Sequence, residues 1–140
     1  MNSKIINGAL GLIIGLVVLS DSNTISAHAA NWHKGTPTSL QGKWQSKWHR
    51  DSKTLRTRTR TTISKRSIDS GLYNSDGTGD MGEPDAIGAS YKYLGKHIYQ
   101  IRGKEMTGTW TFKAKKCSHT KIELFGRDYG YNFKMYLYRR

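Results

Sequence analysis

The chain reads as an all-β protein: a small antiparallel β-barrel or sandwich of about six to eight strands, following a cleaved N-terminal signal peptide. Three observations predict this. Polar and apolar residues alternate with period two in several segments. Gly- and Ser-rich dipeptides punctuate those segments at short intervals. After residue 29 no stretch of ten residues carries a helical apolar stripe, which leaves a sheet closed around one core.

The first element is the leader. Lys4 precedes an uncharged apolar run over residues 5–19, and Ala27-His28-Ala29 places small residues where a signal peptidase reads them. The run is shorter than the roughly 18–20 apolar residues that a membrane span requires. The expected cut falls between Ala29 and Ala30, so residues 1–29 are read as a signal peptide and the protein as secreted. Residues 30–39 form an extended leader and residues 40–140 a single β domain. The part after the cut has no transmembrane segment.

Within that domain, residues 55–63 alternate strictly, with Leu55 and Ile63 on one face and Arg56, Arg58 and Arg60 on the other. Thr57, Thr59 and Thr61 are poor core residues, which predicts an edge strand or a long hairpin arm. Residues 109–115 put Trp110, Phe112 and Ala114 on one face. Near the end Tyr131, Phe133, Met135 and Leu137 share a face and are expected in the core together with Trp44. Shorter strand candidates are 43–48, 90–94, 97–102 and 121–125. Gly95-Lys96, Gly103-Lys104 and residues 126–130 read as turns. Residues 70–89, rich in Gly and Asp, read as a long acidic loop.

Charge narrows the partners. The chain holds 23 Lys and Arg against 10 Asp and Glu, a net charge of +13. Loss of the leader removes Lys4 and Asp21 together and leaves that balance unchanged. So strong a field favours polyanions: an anionic wall polymer or an anionic membrane surface, with nucleic acid a less favoured partner. A single cysteine, Cys117, rules out an intramolecular disulfide and the disulfide-rich secreted scaffolds. An exported, basic, cysteine-poor chain fits a Gram-positive exoprotein, secreted and held at the cell surface by charge.

Leu40-Gln41-Gly42-Lys43-Trp44 resembles the Gly-x-Trp opening of lipocalin-like (calycin) barrels, and Arg127-Asp128-Tyr129 resembles their Asp-Tyr loop motif. The resemblance implies an up-and-down meander with the Trp plugging the closed end. The chain departs from it in being short for eight strands plus a C-terminal helix, with one strand after Tyr129. His33-Lys34-Gly35-Thr36-Pro37, taken with residues 40–44, is similar to small secreted proteins of lactic-acid bacteria.

The arginine comb is the main functional signal. In an extended strand Arg56, Arg58 and Arg60 project from one face about 6.6–7 Å apart, and each guanidinium can fork onto a phosphate or carboxylate. Lys65 and Arg66 extend this anion-binding set, and Lys113, Lys115, Lys116 and Lys121 form a second basic patch. The same comb is also what a solvated strand face that resists edge aggregation looks like. Trp32, Trp44, Trp48, Trp110 and eight tyrosines suit a β core, with Trp32 in the leader expected to be the exposed tryptophan. Asn74, Asp76, Thr78, Asp80 and Asp85 echo a calcium loop but lack its first Asp, its terminal Glu and its flanking helices, so no metal is assigned. His33, His49, His97, His119, Glu105, Glu123 and Cys117 are the residues a small ribonuclease or thiol enzyme would draw on; no motif groups them, and no catalytic residue or cofactor is assigned. The expectation is a non-catalytic binding module for anionic cell-envelope polymers. A carrier of a small apolar ligand, a cationic membrane-active protein and a secreted ribonuclease are the alternatives.

Overall fold

The computed structural model describes residues 31–106 and 108–140; the expected signal peptide and its expected cut lie outside the described residues. The described chain is all-β. Its strands are β1 (His33–Lys34), β2 (Gly42–Gln45), β3 (His49–Arg50), β4 (Arg56–Ile63), β5 (Ile68–Asn74), β6 (Gly79–Met81), β7 (Ile87–Gly95), β8 (Ile98–Glu105), β9 (Gly108–Lys116), β10 (Lys121–Asp128) and β11 (Tyr131–Arg139), with one 3-10 turn at Thr38–Leu40. Eleven strands exceed the six to eight expected. The short β1, β3 and β6, of two or three residues each, account for the excess.

All strands belong to one antiparallel sheet in the order β1-β7-β8-β9-β10-β11-β2-β4-β5-β6, with β3 paired to β4. From β7 to β11 the path is a hairpin meander, as period-two segments joined by short turns demand. The sheet curls until its far ends meet. Ile68 on β5 and Ala86, just before β7, exchange both backbone hydrogen bonds, at 3.0 and 2.8 Å. The Ala89 amide donates to the Arg66 carbonyl at 2.8 Å and extends this seam. The result is a barrel-like curl around one core.

That core holds Leu40, Trp44, Ile63, Ile68, Ile101, Trp110, Phe112, Ile122, Leu124 and Leu137. The Trp44 indole N–H, fully buried, donates to the Leu40 carbonyl at 2.8 Å, and the Trp110 indole N–H donates to the Arg127 carbonyl at 3.1 Å. Trp110, Phe112 and Phe133 pack as tilted rings 5.2–6.5 Å apart. β11 corrects one expectation. Leu137 is buried, Met135 and Phe133 are half-buried, and Tyr131 is 80 % exposed. The strand climbs out of the core towards the β10–β11 turn, so shared parity does not bring shared burial.

Three further expectations are corrected by tertiary packing. β4 is no edge strand, since it lies between β2 and β5; it is instead the long hairpin arm of the alternative expectation, paired with β5. Its inward Thr57 and Thr61 are buried, and a hydroxyl chain satisfies Thr61: Thr61 Oγ1 and Ser70 Oγ lie 2.9 Å apart, and Ser70 donates to the Pro84 carbonyl at 2.8 Å. Much of the stretch read as an acidic loop is strand. β5 runs to Asn74 and turns back through Asp76-Gly77 into β6, with Thr78 donating its amide and hydroxyl to Asp76. Gly103 and Gly126 are not turn residues. A Cβ on Gly103 would lie 2.6 Å from the Ala86 side chain, and one on Gly126 would lie 3.2 Å from both Phe112 and Phe133. Each glycine sits within a strand to let another chain segment approach.

Candidate anion-binding face

Alternation along β4 turns Arg56, Arg58 and Arg60 outward while Thr57, Thr61 and Ile63 fill the inside. The three arginines are not equal prongs. Arg56 is exposed, whereas Arg58 and Arg60 are half-buried and clamped. The Arg58 guanidinium stacks 3.8 Å over the Trp48 ring, and its Nη1 donates to Gln45 Oε1 at 2.8 Å. The Arg60 guanidinium lies 4.5 Å over the Tyr73 ring. Tyr73 pairs directly with Arg58 across β4 and β5, and its ring covers Gly71, the partner of Arg60. Two adjacent cations are thus held against two aromatic rings. Stacking consumes the guanidinium face and leaves in-plane bonding to the terminal Nη groups, of which Arg58 Nη1 is already bonded to Gln45.

The electrostatics of this pair are uncompensated. Burial first, and the charge of Arg60 second, push the Arg58 pKa below its ordinary value. Among the described residues neither arginine meets a carboxylate, and the Nε atoms of both are buried without a hydrogen-bond partner. A bound anion would relieve the mutual repulsion. The clamps were not anticipated from the sequence. Trp48 lies ten residues from Arg58 across an irregular connection, and Tyr73 lies in the stretch read as loop. Trp48 is 41 % exposed. Trp32, the tryptophan expected to be free, is half-buried beneath Arg102, whose guanidinium stands 4.0 Å from its ring centre.

Lys65 and Arg66 sit apart from the comb, in the β4–β5 turn. With Lys34 they line a cavity of about 480 Å³ whose other walls include Gly35, Gly88 and Ser90. Backbone hydrogen bonds from Thr36 to the Lys65 carbonyl and from Ala89 to the Arg66 carbonyl hold that turn in place. The second patch is also divided. Lys113 and Lys115 point outward from β9, and Lys121 stands 4.2 Å over the Tyr136 ring. Lys116 lines a separate cavity with His97, Cys117 and His119.

Of the residues weighed for catalysis, His97, Cys117 and His119 share the cavity beside Lys116, and the others are spread over the molecule. His33 packs on Tyr91, and His49 lies 3.6 Å from Asp51 in solvent. Glu123 is bound to Lys134 at 2.9 Å. Glu105 joins Glu83 and Asp85 around a cavity of about 450 Å³ that is also lined by Leu72, Met81, Met106 and Tyr129. Sequence reasoning missed this acidic mouth, because its members are separated by up to 22 positions and lie on different elements. The Glu83 carboxyl hydrogen-bonds to Asp128. That bond, burial, and the charges of Asp128, Glu105 and Asp85 push its pKa up to about 7. Against protein families, curated proteins and solved structures, the chain finds no match.

Proposed function

We propose that this protein is a secreted, non-catalytic module that binds anionic polymers of the cell envelope through its basic outer sheet faces. The observation that carries the reading is the Arg58–Arg60 pair, two like charges clamped on Trp48 and Tyr73 with no carboxylate beside them among the described residues. A merely solvated strand face would let its arginines extend into water, where repulsion is screened. Here side-chain freedom is already lost, so an incoming phosphate or carboxylate meets preorganised donors. Arg56 adds a third charge on the same face, and Lys34, Lys65 and Arg66 supply a further cluster at the turn. The net charge of +13 draws a polyanion to all of them.

The carrier reading has less support. The core side is filled by Trp44, Trp110 and Phe112, and the cavity reached past Thr59 and Leu72 is walled by Glu83, Asp85 and Glu105. Carboxylates disfavour an apolar guest. The test of the preferred reading compares the natural protein with Arg56→Ser/Arg58→Ser/Arg60→Ser on purified wall polymer, after circular dichroism shows that the variant is folded. Binding by the natural protein should weaken steeply past about 0.2 M salt, where the Debye length falls below roughly 7 Å, and the variant should bind at least tenfold more weakly. Equal binding with equal salt dependence would reduce the comb to a solvated face.

A further inference from the structure

A cavity of about 660 Å³ forms a groove on the outer side of the sheet over β8 to β11, away from the arginine pair. One cross-strand row runs through it. Gln100 on β8 pairs with Lys113 on β9, Lys113 with Phe125 on β10, and Phe125 with Lys134 on β11. Ile122 and Leu124 are buried, so Phe125, like Glu123, faces outward, half-buried between two lysines. Neighbouring strands lie about 4.8 Å apart, so the row from Gln100 to Lys134 spans about 14 Å. Arg127 and Asn132, paired with each other, line the adjoining wall. The carboxylate in the groove, Glu123, is held by Lys134 at 2.9 Å.

We propose that this groove binds an acidic saccharide, with one sugar ring lying on Phe125. An aromatic ring offers a flat apolar platform for the C–H face of a pyranose. The amides of Gln100 and Asn132 can both donate to and accept from hydroxyls. Lys113 and Arg127 supply cations for a carboxylate or phosphate on the sugar. A lipid surface would require an extended apolar patch, whereas Phe125 stands between two lysines and Tyr136, on the same outward face, lies under Lys121 and Lys134. Single-stranded nucleic acid is served by successive aromatic platforms along a groove, and this row holds one. The inference rests on the anionic-polymer reading for the class of partner, but it uses a different surface, so each can fail alone.

The test is isothermal titration of the purified protein with tetragalacturonate, with maltotetraose and octadeoxythymidylate as comparison ligands. Tetragalacturonate should bind at low salt and maltotetraose at least tenfold more weakly. Phe125→Ala and Lys113→Gln should each lower tetragalacturonate affinity about tenfold, whereas Lys53→Gln, an equal loss of charge at an exposed bend outside both proposed surfaces, should change it less than twofold. Phe125→Leu, which keeps an apolar side chain on the sheet, covers the case in which Phe125→Ala does not fold, and it should lose affinity likewise. Unchanged binding in folded Phe125→Leu would mean that the ring merely supports the lysine stems, and the proposal fails. It fails equally if tetragalacturonate does not bind, or if octadeoxythymidylate binds more tightly and depends on Phe125.

Discussion

The Arg58 guanidinium lies 3.8 Å over the Trp48 ring, while its partner Arg60 stacks on Tyr73. An exposed cation–π contact of this kind is worth about 0.5–1 kcal/mol. If its role is to orient Arg58, Trp48→Ala should weaken binding to a wall polyanion by about two- to fivefold at constant salt. The melting temperature should change little, since Trp48 is 41 % exposed. Unaltered affinity in a salt-titrated isotherm would show that the ring does not prepare the donor.

The Trp110 side chain anchors the aromatic triad and makes its own hydrogen bond to the Arg127 carbonyl. Trp110→Ala should cost about 3–5 kcal/mol, a large share of the stability of a small domain. Urea unfolding measures this, and a cost below about 1 kcal/mol would contradict the burial described.

Ser70 donates to the Pro84 carbonyl and meets the Thr61 hydroxyl inside the barrel. Ser70→Ala orphans a buried carbonyl and weakens the seam between β5 and the segment before β7. The expected loss is about 1–3 kcal/mol, much more than an exposed Ser→Ala such as Ser118→Ala. Similar unfolding midpoints for the two variants would count against the hydroxyl chain.

Gly103→Ala should destabilise although alanine ordinarily stiffens a strand. Its Cβ would lie 2.6 Å from the Ala86 side chain and 2.8 Å from the Ala86 Cα, so backbone must shift. About 1–3 kcal/mol is expected, with hydrogen exchange speeding up first at the Ile68 and Ala86 amides that close the seam.

Glu83 makes stability depend on pH. Its folded pKa is about 7, above its ordinary value of 4.5, so the folded state holds this proton more tightly than the unfolded chain does. The contribution is complete below pH 4.5 and is lost as pH rises through about 7. The melting temperature of the natural protein relative to Glu83→Gln should therefore fall between pH 5 and 8. Asp128, Glu105 and Asp85, the groups facing Glu83, remain in both proteins. A difference that stays constant with pH would remove Glu83 as the titrating group.

Much of this molecule was legible in the linear chain. Strict alternation over residues 55–63 and 109–115 determined both the β class and the outward face of Arg56, Arg58, Arg60 and Lys113, because parity along a strand is a local property. The strong positive charge was equally plain. Partners were not legible. That Trp48 and Tyr73 clamp the arginines, that Gly103 admits Ala86, that Ser70 is a core residue within an apparent loop, and that Phe125 stands between Lys113 and Lys134 all follow from register between strands remote in sequence. Parity sets which face a side chain takes. Only long-range pairing, selected by burial of the whole core, sets what stands beside it.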